Sequence, residues 1–320
     1  MLLETLLSLV LGTFISQYPL TMIHSSQDGD KILPTTIEAV VNSATKNTRR
    51  FKPQKIDTIQ KSLGLKSRAK AAIVVDQRSG SVLFEKNAED QRSLASLSKL
   101  MSTLVFLEHN PGWNVVVEMR EQYKREGSNT KIQLGDTVTV RDLFNLMLIA
   151  SRNDAVMALV SATGMSQYKF VQLMNEKAEA LGLRQTVFVE PTGLNPLNRS
   201  SARDIAIMLH EVLKTQEARQ ATTTLTYFFR TKKLGQSFAE VNTNTDLLGS
   251  YLQNPPRYEI IGGKTGYIED SGYCLASAVK NREGGEILAV VLGAETRLES
   301  SQELKSLIAW TFANYAWREE

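Results

Sequence analysis

The order of strand-like and helical segments along the chain is the feature that most restricts its fold. Strand-like segments, either apolar throughout or alternating, lie towards both ends, at 71–76, 81–85, 257–261, 273–280 and 286–294. Helical patterns fill the region between them and recur at the C-terminus, at 96–109, 141–149, 153–163, 166–182, 201–214 and about 299–317. This order predicts an α+β fold, in which an antiparallel sheet built from both ends of the chain packs on a helical region.

The first 25 residues are mostly apolar. The run from Leu6 to Ile15 has the length of the core of a signal peptide or short membrane anchor, although Glu4 is the only early charge and no Lys or Arg precedes the run. We predict that residues 1–25 are a signal peptide or membrane anchor. The protein is then exported to a periplasmic or other extracytoplasmic location and, if the segment is retained, associates with the membrane through it. The alternative is a buried helix or hydrophobic tail.

Residues 26–66 are polar and show no apolar periodicity. Lys and Arg residues cluster between Lys46 and Lys55, and this stretch contains Pro53. We predict a solvated basic linker over 26–66, with a short helix at 56–64; binding to an anionic membrane surface or polymer is the alternative. The folded domain is then expected over residues 67–320, with its structure starting at Ala69.

Composition excludes several classes of function. The net charge of +3 is only mildly basic, so we expect no nucleic-acid partner. The single cysteine, Cys274, excludes an intrachain disulfide, and the histidines (His24, His109 and His210) lie far apart in sequence. We therefore expect no metal site and no cofactor. Cys274 is predicted to be a buried strand residue without a redox role.

The first candidate motif is Ser96-Leu97-Ser98-Lys99, which opens an apolar-periodic segment. This spacing predicts Ser96 at a helix N-terminus and Lys99 one turn further on the same face. A serine hydroxyl becomes a nucleophile when a nearby base takes its proton, and a buried lysine with a lowered pKa can be that base. Alone, the motif is more often a helix cap with a solvated lysine.

The second candidate motif is Ser151-Arg152-Asn153, which lies between two predicted helices. A loop there can present Ser151 to relay a proton to a leaving group, and Asn153 to bind substrate or hold Lys99. Taken alone, the pattern is indistinguishable from an ordinary helix cap.

The third candidate motif is Lys264-Thr265-Gly266, preceded by Gly262 and Gly263. The glycines let the backbone pass close to a ligand, and the Lys and Thr side chains are suited to bind a carboxylate. On an edge strand, the backbone N–H of Tyr267 and that of Ser96 can together form an oxyanion hole. The alternative is a glycine-rich hairpin with a surface lysine.

The three motifs occur together, in the order that is the signature of penicillin-binding proteins and β-lactamases. Each also lies in a suitable context: a helix start, an inter-helix loop and a strand. Over residues 68–296 the chain resembles the D-alanyl-D-alanine carboxypeptidase family, the low-molecular-mass penicillin-binding proteins. The resembling segments are AAIVVDQRSGSVLFEKNA, LASLSKLMS, SRNDAVMALV, PTGLNPLNRSSARDIAIML, VNTNTDLL and GGKTGYIEDSGYCLASAV.

The resemblance implies a β-lactamase/transpeptidase-like fold and a serine peptidase activity, with residues 67–320 as the catalytic domain. It implies that Ser96 is acylated by the penultimate D-Ala of a peptidoglycan stem peptide while the terminal residue leaves. Lys99 would act as general base and Ser151 would relay protons. β-Lactam antibiotics would then be covalent inhibitors.

The resemblance also implies the substrate-binding residues. Asn153 would contact the amide on the acyl side and Lys99, and Lys264 and Thr265 would hold the terminal carboxylate of the substrate. Gly266 and Tyr267 complete the candidate binding residues.

The chain departs from the family pattern at Arg152, where the family usually has Gly. A bulky cation at the cleft mouth would narrow access or favour anionic substrates. The chain also ends soon after the third motif, as do the shorter endopeptidase-type members, so carboxypeptidase and D-alanyl endopeptidase action both stay open.

Two alternatives remain at this stage. A class A β-lactamase needs a carboxylate that activates the deacylating water. The segment from Glu190 to Asn195 is similar to the E-x-x-L-N loop of those enzymes but has one residue too many. A wall-binding protein with an inactive site is the second alternative, and the complete motifs argue against it. No G-x-S-x-G surrounds Ser96, which argues against a lipase or esterase.

Overall fold

The strand Ala71–Asp76 is buried along almost its whole length, which accounts for its apolar sequence. Its two neighbours come from opposite ends of the chain. It pairs antiparallel with Val82–Lys86 on one side and with Glu286–Ala294 on the other. Both ends of the chain therefore meet in one sheet.

The computed structural model describes residues 51–56, 65–126, 132–250 and 257–319. Its strands are β1 (Phe51–Lys55), β2 (Ala71–Asp76), β3 (Val82–Lys86), β4 (Arg92–Ser93), β5 (Val116–Glu118), β6 (Thr137–Thr139), β7 (Arg199–Ser200), β8 (Thr226–Arg230), β9 (Ser237–Val241), β10 (Tyr258–Ile268), β11 (Gly272–Asn281), β12 (Glu286–Ala294) and β13 (Tyr315–Glu319). Its α-helices are α1 (Lys99–Glu108), α2 (Val140–Ile149), α3 (Asn153–Ala162), α4 (Gln167–Ala180), α5 (Ala202–Val212), α6 (Gln216–Thr223), α7 (Thr245–Leu248) and α8 (Arg297–Asn314). Short 3-10 turns occur at Ala95–Ser98 and Glu121–Tyr123.

The main sheet has five strands in the order β10-β11-β12-β2-β3, all antiparallel. Helix α8 packs on one face, where it encloses a core with the apolar side chains of β2, β11 and β12. Helix α5 packs on the other face and joins it to a larger core formed by the helical region. The α+β prediction, with an antiparallel sheet from both chain ends, is confirmed.

The helical region places the second motif between two well-defined helices. A capping box starts α2: the Thr139 hydroxyl accepts a hydrogen bond from the backbone N–H of Asp142, and the Asp142 carboxylate accepts one from the N–H of Thr139. Helix α2 ends at Ile149 and α3 begins at Asn153. Ser151 and Arg152 are thus the connection between two buried helices, as predicted.

Both ends of the folded unit differ from the sequence-based expectation. Strand β1, Phe51–Lys55, lies within the predicted 26–66 linker and before the expected start at Ala69, so both predictions are wrong for these residues. It pairs antiparallel with β13, Tyr315–Glu319, which had been predicted as the end of the last helix. The pairing joins opposite ends of the chain, so no local pattern reveals it.

Trp317 explains why the C-terminal segment leaves the helix. Its indole Nε1 donates a hydrogen bond of 2.6 Å to the buried carboxylate of Asp76. The ring also packs against Gly285, where a Cβ atom would lie 2.5 Å from it. These contacts fix β13 beside the turn between β11 and β12, and the extended backbone of β13 allows them.

Three of the predictions fall on residues outside the described ranges. They are the N-terminal segment (1–25), the rest of the linker before β1 and nearly all of the short helix at 56–64. Within the described ranges, no helix combines the length and the apolar character needed to cross a bilayer.

The hairpin of β8 and β9 was not assigned from the sequence. It leads directly into the residues that border the functional site.

Candidate active site

A cleft of about 330 Å³ opens along the edge strand β10. All three sequence motifs contribute to its lining, through Ser96, Ser151, Asn153, Thr265, Gly266 and Tyr267. Lys99 and Lys264 lie beneath this surface and are almost completely buried. The structure therefore brings together the residues that the sequence singled out, from three distant parts of the chain.

Ser96 lies in the 3-10 turn Ala95–Ser98 rather than in the α-helix that the sequence predicted from residue 96. Helix α1 begins at Lys99. Ala95 has a φ of 47°, a left-handed conformation that is uncommon for a residue with a side chain. This sharp turn exposes Ser96 to the cleft and leaves Lys99 directly beneath it.

Two glycines pack closely against this turn. A Cβ on Gly193 would lie 2.0 Å from the carbonyl oxygen of Ala95, and one on Gly266 would lie 3.1 Å from the backbone N of Ser96. A side chain at Gly266 would push β10 and the turn apart by a few tenths of an ångström, so glycine allows the close approach of β10 to Ser96. The same approach places the backbone of β10 beside the N–H of Ser96, where an oxyanion hole needs it.

Lys99 makes three polar contacts through Nζ. They join it to Ser96 Oγ at 2.9 Å, to Asn153 Oδ1 at 2.7 Å and to the carbonyl oxygen of Thr192 at 2.6 Å. Burial lowers the pKa of Lys99 to about 7, and the negative charges of Glu190 and Asp154 oppose part of that shift.

As an ammonium, Lys99 donates to all three oxygens, whereas the neutral amine makes the same three contacts in a different way. A neutral amine has two N–H donors, which match the two oxygens of Asn153 and Thr192. Its lone pair is then left for the proton of the Ser96 hydroxyl. The geometry is that of a base already directed at its nucleophile.

Glu190 organises the loop that presents the Thr192 carbonyl to Lys99. Its carboxylate accepts hydrogen bonds from the backbone N–H groups of Thr192 and Gly193, from the Thr192 hydroxyl and from the side-chain amide of Asn198. The described residues that line the cleft do not include Glu190. The sequence suggested Glu190 only as the water-activating base of a β-lactamase, and its support of the loop was not predicted.

Ser151 has a φ of 59°, so the loop between α2 and α3 also makes a left-handed turn at a residue with a side chain. Its hydroxyl oxygen accepts a hydrogen bond of 2.9 Å from Nζ of Lys264. Lys264 is 1% exposed, which excludes the alternative of a surface lysine. Burial, together with the nearby charge of Lys99, lowers the pKa of Lys264 well below its usual value.

The sequence predicted a free Arg152 side chain at the mouth of the cleft, and the structure does not show one. The guanidinium of Arg152 turns to strand β9, where one nitrogen lies 2.8 and 2.7 Å from the two carboxylate oxygens of Glu240. Arg152 is also not among the described residues that line the cleft. The expectation of a cation that narrows access is therefore wrong, because the local sequence could not reveal a partner on the unassigned β8–β9 hairpin.

The far wall of the cleft contains residues that the sequence analysis missed. The hydroxyls of Thr265 and Thr243 lie 2.6 Å apart. Arg297, the first residue of α8, lines the same wall and donates hydrogen bonds to the Asp246 carboxylate and the Thr243 carbonyl oxygen. No signal in the local sequence marked Arg297, since its position depends on how α8 packs on the sheet.

Cys274 lies in β11 and borders the cleft from below. It is 2% exposed, and burial raises the pKa of its thiol. The predicted burial of this residue is confirmed.

In this site a serine is hydrogen-bonded to a buried lysine amine, beside a sheet built from both ends of the chain. This arrangement defines the class of serine–lysine acyl-transfer enzymes. Within that class, the chain belongs to the D-alanyl-D-alanine carboxypeptidase family, whose sequence model matches residues 57–296. The family resemblance stated from the motifs is confirmed.

Individual relatives agree with this assignment. The chain is 32% identical to the D-alanyl-D-alanine carboxypeptidase DacF of Bacillus subtilis (strain 168), over 77% of this chain and 63% of the relative. It is 32% identical to a D-alanyl-D-alanine endopeptidase of Pseudomonas aeruginosa, over 64% of this chain and 65% of the relative. The chain thus spans slightly less than two thirds of the length of these two relatives.

A solved structure shows the same fold. The crystal structure of the Streptomyces K15 DD-transpeptidase superposes with a TM-score of 0.69 at 26% sequence identity, and covers 78% of this chain and 98% of that protein. The prediction of a β-lactamase/transpeptidase-like fold is confirmed.

Proposed function

We propose that this chain is a serine-type D-alanyl-D-alanine peptidase that acts on peptidoglycan stem peptides through an acyl-enzyme on Ser96. The single observation that carries the proposal is the environment of Lys99: a buried amine with its pKa lowered to about 7, 2.9 Å from the Ser96 hydroxyl. Family membership supports the substrate class.

Acylation begins when the lone pair of Lys99 takes the proton of Ser96. The Ser96 oxygen then forms a bond to the carbonyl carbon of the penultimate D-Ala. The negative charge that develops on the carbonyl oxygen is stabilised by the backbone N–H groups of Ser96 and Tyr267. The close approach of β10 to the 3-10 turn supports this placement of the two donors.

The leaving amine needs a proton, and Ser151 is placed to supply one. Its hydroxyl oxygen accepts a hydrogen bond from Lys264, so its own proton is free to point into the cleft. As the C–N bond breaks, Ser151 gives its proton to the nitrogen and receives in return the proton that Lys99 took from Ser96, so that Lys99 is neutral again. Water then attacks the ester in the reverse sequence of proton transfers, and Lys99 serves again as base.

The terminal carboxylate of the substrate binds on the β10 side of the cleft. Thr265 offers a hydroxyl there, Lys264 a buried amine and Arg297 a guanidinium. On the opposite wall, the Asn153 side chain donates from Nδ2 to the Glu126 carbonyl and accepts from Lys99 through Oδ1. In addition to this link to the base, Asn153 contacts the amide of the acyl group.

β-Lactam antibiotics carry a carboxylate next to a strained amide and would acylate Ser96 by the same steps. The reaction on stem peptides takes place outside the cytoplasm, and the apolar N-terminal run that resembles a signal peptide or anchor supports export. Both carboxypeptidase action on a terminal D-Ala and endopeptidase action on a D-alanyl cross-link fit this site.

The test is product analysis with the full chain. A linear stem peptide that ends in D-Ala-D-Ala and a cross-linked muropeptide dimer are incubated separately, and released D-alanine or monomer is measured. We expect cleavage of one or both by the wild type and none by Ser96→Ala. Equal cleavage by Ser96→Ala, or equal cleavage of a peptide that ends in D-Ala-L-Ala, would overturn the proposal.

A further inference from the structure

A second cavity, of about 350 Å³, opens beside the catalytic cleft. Polar side chains dominate its lining, which consists of Gln91, Arg92, Ser93, Pro196, Leu197, Arg199 and Asp270. Strands β4 and β7 form its floor, with Arg92 opposite Ser200 and Ser93 opposite Arg199. This pairing brings two arginines from distant parts of the chain to one cavity.

The second cavity shares both of its walls with the catalytic cleft. On one wall, Leu194 lines the cleft, while Pro196 and Leu197 of the same loop line the second cavity. On the other wall, Ile268 lines the cleft and Asp270, on the same turn, lines the second cavity. The second cavity therefore lies next to the end of the cleft that Leu194 and Ile268 border.

The distance between the two sites is short. Strand β4 ends at Ser93, and three residues of chain, from 93 to 96, separate it from the nucleophile. Even when fully extended, such a segment spans only about 11 Å. That is the length of about three residues of an extended peptide.

The second cavity contains positive charge without a matching partner. Within the described ranges, neither Arg92 nor Arg199 forms an ion pair with a carboxylate. Among the described residues, the guanidinium of Arg199 donates one hydrogen bond, to the carbonyl oxygen of Gln91. Two guanidinium groups that line one cavity without a carboxylate partner among the described residues are suited to bind an anionic ligand.

Asp270 limits which anion fits. Its exposed carboxylate lies on the rim and offsets one of the two positive charges, so the cavity has a net charge of about +1. A monoanionic carboxylate matches that charge, and the planar guanidinium groups match its geometry. A phosphate dianion would meet repulsion from Asp270.

We propose that this second cavity is a subsite for a carboxylate that the donor peptide carries about three residues before the scissile bond. Arg92 and Arg199 bind the carboxylate. The inference rests on the proposed function, since it assigns a further part of the same substrate to this cavity.

The test compares two acetylated peptides that end in D-Ala-D-Ala and differ only in carrying glutamate or glutamine three residues before the scissile bond. With the full chain, we expect kcat/KM to be about tenfold higher for the glutamate peptide, as one charge-assisted interaction would produce. Arg92→Gln and Arg199→Gln should each remove most of this preference by lowering kcat/KM for the glutamate peptide towards the value for the glutamine peptide. Asp270→Asn should increase the preference, an effect that misfolding cannot mimic.

Arg184→Gln is the matched control. Arg184 is exposed and lies next to Gln185, whose carbonyl accepts a hydrogen bond from Gln91, but it does not line the second cavity. The control variant should keep the full preference for the glutamate peptide. If Arg184→Gln and Arg199→Gln reduce the preference equally, general surface charge causes it and the subsite is refuted.

A binding measurement separates this inference from the proposed function. The Ser96→Ala variant, which cannot be acylated, should bind the glutamate peptide about tenfold more tightly than the glutamine peptide by calorimetry. Selective binding without any cleavage by the wild type would refute the proposed function and keep the subsite. Cleavage of both peptides at equal kcat/KM, or equal binding of both, would overturn the subsite.

Discussion

The guanidinium of Arg152 forms an ion pair with the carboxylate of Glu240 and so joins the second motif to strand β9. The side chains are only 18% and 11% exposed, and Nε of Arg152 has no hydrogen-bond partner in the part of the chain that the structure describes. The pair lies between Ser151, which has a left-handed backbone, and the hairpin that leads to Thr243 on the opposite wall of the cleft. We infer that the ion pair fixes the positions of the two walls of the cleft relative to each other.

The Arg152–Glu240 pair can be tested by exchanging its charges. Arg152→Glu and Glu240→Arg should each lower the free energy of unfolding by about 1–3 kcal/mol, because each leaves like charges partly buried side by side. Each should also slow acylation by penicillin. The double variant should recover part of both losses, as measured by denaturant unfolding and stopped-flow acylation. Strictly additive losses in the double variant would show that the pair has no such role.

The pKa of Lys99 predicts the pH dependence of acylation. Below a pKa of about 7 the amine is protonated and cannot accept the Ser96 proton, whereas above it the amine is neutral. The second-order rate constant for acylation by penicillin should therefore fall about tenfold per pH unit below 7 and reach a plateau above it. A rate constant that stays flat from about pH 5 to 9 would rule out Lys99 as a base with this pKa.

Asn153→Asp tests whether this titration belongs to Lys99. The new carboxylate would lie at the position of Oδ1, 2.7 Å from the Lys99 amine, and would stabilise its protonated form. The acidic limb of the pH profile should move to higher pH by about one unit or more. Asn195→Asp, on the exposed part of the loop after Thr192, is the control and should leave the limb unchanged. Equal profiles for the wild type and Asn153→Asp would assign the titration to another group.

Glu190→Gln tests whether Glu190 is a structural residue or the base of a β-lactamase. The amide cannot accept all the hydrogen bonds that the carboxylate receives from Thr192, Gly193 and Asn198. The free energy of unfolding should therefore fall by about 1–3 kcal/mol. Acylation should slow, because the Thr192 carbonyl that holds Lys99 depends on this loop.

Deacylation of the penicillin adduct is the discriminating readout for the same variant. A general base contributes about a hundredfold or more to the step it catalyses. We expect the deacylation rate constant of Glu190→Gln to stay close to that of the wild type. A selective loss of that size in deacylation, with acylation intact, would favour the β-lactamase alternative.

The sequence predicted much of the site because each motif is local. Ser96 and Lys99 lie one turn apart, and the glycines around Lys264 mark a close backbone approach, so short stretches of sequence carry the chemistry. Strong apolar runs such as 71–76 and 286–294 likewise predicted the central strands. Their order, with the helices between them, predicted the fold class.

The features that escaped prediction depend on contacts between distant segments. The partner of Arg152 lies on β9, and that of β1 lies at the C-terminal end of the chain. The burial of Lys264 depends on the helical region that covers β10. The role of Glu190 depends on how its loop folds back on itself. Periodicity and motif spacing record local preference and contain no information on such pairings.

Intact-protein mass spectrometry after incubation with benzylpenicillin tests the assignment of Ser96 as the nucleophile most directly. The full chain is compared with Ser96→Ala under the same conditions. The wild type should gain the mass of one penicillin and keep it long enough to be detected, while the variant gains none. An adduct on both proteins, or no adduct and intact penicillin with the wild type, would contradict an acyl-enzyme on Ser96.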